Sequence, residues 1–135
     1  MSVKAIANGV KISPRKVSVV ASLVRGRTIE DAVVILSHTP RPKSSLAVKK
    51  VIESAKANAI HNHGYRSEGL YIQSIFVNHG PRLKRIRPVA KGIAHGITRR
   101  TSHITVIVDG TLREVKKPVK TMATKSTIKP KKESK

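Results

Sequence analysis

No acidic residue lies between Glu68 and Asp109, and the middle of that interval is strongly basic. Residues 79–100 carry Arg82, Lys84, Arg85, Arg87, Lys91, Arg99 and Arg100 without a single counter-charge. Strand-like runs at 70–78 and 101–109 flank them. A basic connection bearing Gly80, Pro81, Pro88, Gly92 and Gly96 between two strands predicts a long protruding hairpin at about 79–100. A protrusion that repels itself needs a polyanion to lie against. A connection of 22 residues inside a small domain is itself unusual and tends to be functional.

The whole chain shares this imbalance. Lys and Arg total 28 against 7 acids, a formal net charge of +21 in 135 residues. Excess charge of that size destabilises an isolated globule and favours attraction to nucleic acid or to an anionic membrane. The apolar fraction, 39%, suffices for one small core, and the length suits one domain with a tail. The absence of cysteine excludes disulfides and Cys-based zinc sites, and nothing speaks for secretion. No apolar run approaches the roughly 20 residues of a membrane span, and no signal-peptide core is expected at the N-terminus. Phe76, Tyr65 and Tyr71 are the only aromatic residues. A single-strand binder built on stacking platforms uses more rings than that.

Periodicity predicts three helices followed by a sheet. Residues 3–10 are a candidate edge strand. Ser13 and Pro14 start a helix, as N-cap and first helical residue. Val17, Val20, Ala21 and Val24 then repeat at helical spacing, and Gly26 ends the run. Thr28 caps a second helix with Glu30 and Asp31 in its first turn, where the helix dipole favours acids. Ile29, Ala32, Val33 and Leu36 form its apolar face. The segment from Thr39 to Pro42 breaks the pattern, and a third helix is expected over 44–62 with Val48, Val51, Ile52, Ala55 and Ala59 inside. In the first hairpin strand, Leu70, Ile72 and Phe76 alternate with Tyr71, Gln73 and Ile75. In the returning strand, Ile104, Val106 and Val108 alternate with His103, Thr105 and Ile107. Asp109-Gly110 is a turn signal, and residues 111–115 extend the sheet. Residues 1–115 therefore read as the globular domain. Residues 116–135, with eight Lys and few apolar side chains, read as a disordered tail.

Catalytic and metal-binding readings find little support. His61 and His63 are the only close histidine pair, and no acid cluster joins them. Glu30 and Asp31 are the only adjacent acids, and they suit a helix start. No nucleophile motif or phosphate loop is present. The chain is therefore expected to be neither an enzyme nor a metal or cofactor binder. The hairpin cations Arg82, Lys84, Arg85, Arg87, Lys91, Arg99 and Arg100 are the leading candidates for RNA phosphate contacts. Arg15, Lys16, Arg25 and Arg27 make a second basic patch around the first helix.

Several blocks together resemble a known family. They are Ser13-Pro14-Arg15-Lys16-Val17, Leu23-Val24-Arg25-Gly26, the run from Val48 to Ala55, and Gly80-Pro81 followed by Lys84-Arg85-Ile86, Pro88, Ala90 and Gly92. Arg100-Thr101-Ser102-His103-Ile104-Thr105-Val106 completes the set. In this order they are similar to the ribosomal protein L-twenty-two family of the large subunit. The resemblance implies an α+β fold, three helices packed on a small three-stranded antiparallel sheet with a long protruding β-hairpin. It implies a structural protein that binds large-subunit rRNA, aids assembly and lines the nascent-peptide exit tunnel. Leu83, Lys84, Arg85, Ile86, Arg87, Pro88, Val89, Ala90, Lys91 and Gly92 would form the tunnel-lining tip. Partners would be the rRNA, neighbouring large-subunit proteins and the nascent polypeptide, on a cytoplasmic or organellar ribosome. The alternative from charge alone is a free-standing, histone-like or RNA-chaperone protein.

Overall fold

The apolar spacing of residues 17–24 forms the helix it predicts. A computed structural model describes residues 2–110, and the expectations for 111–115 and for the 116–135 tail lie outside the described residues. Strand β1 (Val3–Val10) leads into helix α1 (Pro14–Val24), helix α2 (Ile29–His38) and helix α3 (Pro42–His63). Strand β2 (Tyr71–Pro88) and strand β3 (Ala94–Asp109) follow, joined through a short 3-10 turn at Ala90–Gly92. The three strands form one antiparallel sheet in the order β1-β3-β2. This is the expected α+β arrangement.

Helix starts differ in how they are held. Thr28 accepts the backbone N–H of Asp31 at 3.2 Å and donates its hydroxyl to the Asp31 carboxylate at 2.7 Å. Ser13 makes no side-chain cap; only its carbonyl serves, accepting the N–H of Lys16 and of Val17. Helix α3 begins at Pro42, two residues before the expected start. Pro42 is the first residue of the helix, not the break before it, since proline's missing N–H is unneeded there. The earlier start buries Ser44 and Ser45. At the far end Gly64 turns left-handed (φ 65°), and the Tyr65 N–H closes on the Ala59 carbonyl at 3.1 Å. That is the usual glycine-dependent helix stop.

One core joins the three helices to one face of the sheet. Val17, Val20 and Val24 of α1, Ile29 and Leu36 of α2, and Val48 and Ile52 of α3 meet Ile72, Ile75, Ile104, Val106 and Val108. Each such side chain, fully buried, contributes about 1.5–3 kcal/mol. The small Ala55 and Ala59 are also fully buried. Helix α3 packs along β1 and β3, while α1 packs along β2.

The alternation expected for β2 holds only at its start. Gln73 is an extra residue, because Ile72 pairs with Val108 while Ser74 pairs with Ile107. This bulge inverts the phase of everything after it. Ile75 is therefore buried, and Phe76, expected inside, is 51% exposed. The β3 alternation is as expected, with residues 104, 106 and 108 inside.

Candidate nucleic-acid interface

Strand β1 ends its pairing at Val10 opposite Ser102. Beyond that point β2 and β3 continue alone as a two-stranded ribbon. Its register is regular, from Arg82 opposite Arg100 to Pro88 opposite Ala94. The hairpin is thus strand almost throughout, and only residues 89–93 connect the arms. Leu83, Lys84, Arg85, Ile86, Arg87 and Pro88 were expected at the tip; all six lie on the β2 arm. Val89, Ala90, Lys91 and Gly92 do lie at the turn. Lys91 adopts a left-handed conformation (φ 61°) and the Val89 N–H donates to the Ile93 carbonyl at 2.9 Å. An arm of about ten residues extends roughly 30 Å.

The ribbon leaves the body at a second bulge. Gly80 and Pro81 together oppose Thr101, since His79 pairs with Ser102 and Arg82 with Arg100. A proline is tolerated there because β2 is an edge strand. The Thr101 hydroxyl donates to the Pro81 carbonyl at 2.7 Å and locks the bulge. Gly80 has no room for a side chain: a Cβ would collide with the Thr101 hydroxyl and approach the Thr101 carbonyl carbon to 3.1 Å.

All seven ribbon cations are exposed. Arg82 and Arg100 are direct cross-strand partners, and like charges so placed destabilise a bare ribbon. Pairing puts Arg82, Arg100 and Lys84 on one face and Arg85, Arg87 and Arg99 on the other. Cations thus project from both sides. The Arg85 guanidinium donates to its neighbour's carbonyl, Lys84 O, at 2.8 Å. The charge count also concealed an apolar element. Ile86 is 74% exposed, and Val89, Ile93 and Ile97 are exposed beside it. Apolar side chains clustered at the end of a protrusion imply contact with another surface.

The patch expected around α1 divides between the helix ends. Arg15 and Lys16 lie in its first turn, while Arg25 and Arg27 follow its last residue, about 15 Å away at helical rise. Both of the latter are tethered: Arg25 Nη2 donates to the Ile75 carbonyl at 3.2 Å and Arg27 Nε to the Leu23 carbonyl at 3.0 Å. The link between α1 and α2 is itself pinned to β2, with Ile72 and Arg27 joined at 2.9 Å and Gly26 and Ile72 at 3.0 Å.

At the other end, Lys16 faces an open cleft of about 690 Å³ that also takes Lys11, Arg41 and Lys43. Sequence reasoning missed these three. A partial signal was present: a cation directly follows each helix-starting proline, Arg15 after Pro14 and Lys43 after Pro42. No three His, Asp or Glu gather as a metal site among the described residues. None of the described helices is long and apolar enough to cross a membrane.

The chain matches the family described as ribosomal protein L22p/L17e over residues 5–109. A protein of Desulforamulus reducens, named large ribosomal subunit protein uL22, is 51% identical over 108 residues. The aligned region covers 80% of this chain and 95% of that protein.

Proposed function

This chain belongs to the ribosomal protein L22p/L17e family, and on that premise we propose that its ribbon binds large-subunit rRNA and lines the nascent-peptide exit tunnel. The protein is a structural, non-enzymatic constituent of the large subunit of the cytoplasmic ribosome. That membership sets aside the free-standing histone-like or chaperone alternative. The finer role is supported best by one observation. Between Arg82 and Arg100 only Leu83 is even half-buried, so among the described residues little of the protein's own surface covers a ribbon with seven cations and no acid. Phosphate supplies the missing charge, and a solvated, folded RNA supplies the shape.

Ribbon and body divide the work. Arg15, Lys16, Arg25 and Arg27 spread RNA contacts over the body, which aids assembly. The arms carry the turn at 89–93, with its apolar side chains, away from that footprint and toward the nascent polypeptide. Neighbouring large-subunit proteins meet what remains of the surface.

Deletion of residues 83–85 tests this division. In β2 the deletion removes an odd number of residues, so Ile86, Arg87 and Pro88 shift along β3 and exchange faces. The turn is thereby enlarged and displaced, while the bulge at Gly80 and Pro81 stays put. The variant is expected to enter large subunits normally, because affinity is spread over many phosphates. Stalling by arrest peptides or sensitivity to tunnel-binding antibiotics is expected to change. Absence of the variant from assembled subunits would show the ribbon to be an anchor and overturn the division.

The domain proposed for residues 1–115 folds without the lysine tail at 116–135. Among the described residues the buried cluster ends at Val108. Truncation after Val115 is expected to keep a cooperative thermal transition and to lower the salt dependence of RNA binding by about one unit per lost phosphate contact. Loss of the transition would place the domain boundary further along the chain.

A further inference from the structure

We propose that the open face of the sheet, centred on Ile6, Ile107 and Phe76, seats a neighbouring large-subunit protein through uncharged, apolar side chains. The inference rests on the reading above that neighbouring proteins meet part of this surface, and it says which part.

Strand pairing builds the face. The helices join their core to one side of the sheet only. On the other side the register aligns Ile6 of β1, Thr105 of β3 and Phe76 of β2 in one cross-strand row. Lys4, Ile107 and Ser74 form the next row. Side chains in adjacent rows of one face reach each other, so Ile6, Ile107 and Phe76 make one apolar patch. Ile6 and Phe76 are each 51% exposed, and Tyr71, on the same face of β2, is also exposed. Two of the chain's three aromatic residues therefore stand on the side of the sheet turned away from the helices. Exposed apolar side chains gathered in this way mark a contact surface.

The exposure of Phe76 is made by the fold. The extra residue Gln73 inverts the phase of β2, which turns Ile75 in and Phe76 out, into the row of Ile6. Bulges re-aim side chains in this manner. Here the bulge completes a patch that strict alternation would have left without its ring.

Charge selects the occupant. The chain carries a formal +21, yet alternation places on this face one cation, Lys4, and one acid, Asp109, which cancel. Phosphate gains little from a neutral face. A stacked nucleobase brings its phosphates with it, and Lys4 stands two strands from Phe76, roughly 10 Å away. An apolar protein surface buries the ring and both isoleucines without stranding a charge, as the aromatic-rich, charge-poor centre of a protein interface does.

The test uses purified large subunits assembled with the full chain, in which Phe76 is replaced by the photocrosslinking residue p-benzoylphenylalanine. Val34, exposed on α2, is replaced in a parallel variant. Irradiation is expected to give one discrete adduct from residue 76 that survives ribonuclease and joins an apolar segment of a second large-subunit protein. An adduct that ribonuclease removes would put RNA on the face, one to residues 111–135 would put the chain's own tail there, and none would leave it to water; each overturns the proposal. Protein adducts from residue 34 alone would overturn this site and leave the contact with neighbouring proteins standing. No protein adduct from either variant would end both. Phe76→Asp is expected to hold affinity for an rRNA transcript within about twofold and the melting temperature within about two degrees. Retention of the crosslinked neighbour on salt-washed subunits is expected to fall about tenfold. Unchanged retention, or a tenfold loss of transcript affinity, would overturn the proposal.

Discussion

Ile52→Asp is expected to remove most of the stability of this domain and to lower its melting temperature severely. Ile52 is fully buried near the middle of α3, among the side chains that join the helices to the sheet. Removing its side chain forfeits roughly 2–5 kcal/mol of burial and packing. The carboxylate then adds a further penalty of several kcal/mol, since no cation lies among the described buried residues. A domain of this size is stable by only about 5–15 kcal/mol, so the sum removes most of that margin. Arg85→Ala is the matched contrast. Its side chain is exposed and bonds only to the adjacent carbonyl, so stability should change by about half a kcal/mol at most. Thermal unfolding of both variants checks the pair. Similar losses would mean that the ribbon packs on the protein.

Gly80→Val carries the second large effect, at the base of the ribbon. The new side chain meets the Thr101 hydroxyl and the backbone of Thr101 and Ser102. Backbone cannot move aside as a flexible side-chain end would, so β2 and β3 must separate there. The hydrogen bond from Thr101 to Pro81 is lost with the bulge that it locks. Overpacking of this kind costs about 1–3 kcal/mol, which lowers the melting temperature by roughly 5–20 °C for a domain near 100 residues. The ribbon would also leave the body in a different direction, so incorporation into subunits should suffer more than from the 83–85 deletion. A melting temperature within about two degrees of the unaltered protein would show that the bulge yields easily.

The parts of the fold legible in the sequence are those set by local spacing. The valines at 17, 20 and 24 repeat at helical period and all lie inside. Thr28 with Asp31 announces the α2 cap through side-chain chemistry alone. The β3 alternation is unbroken, and so its inward set could be named directly. What escaped depends on partners distant in sequence. The bulge at Gln73 exists only relative to β3, and without it Phe76 reads as a core residue. Arg- and Lys-rich residues 82–88 have no strong strand preference, so only pairing with 94–100 reveals that they are arm and not loop. Lys11 is far in sequence from Arg41 and Lys43 and shares a cleft with them only after α1 and α3 pack. Charge counting located the ribbon because its cations are contiguous; it could not find cations assembled by folding.

The ribbon is proposed to bind phosphate, and among the described residues it is exposed along nearly its whole length. Replacing Arg82, Lys84, Arg85, Arg87, Lys91, Arg99 and Arg100 together by Gln tests it most directly, with binding to a large-subunit rRNA transcript measured across salt concentrations and thermal unfolding measured alongside. The melting temperature is expected to be unchanged or higher, because the like-charge pair Arg82 and Arg100 is relieved. The slope of log affinity against log salt is expected to fall by about four to six units. A slope unchanged within about one unit, or a melting temperature lowered by ten degrees or so, would contradict it.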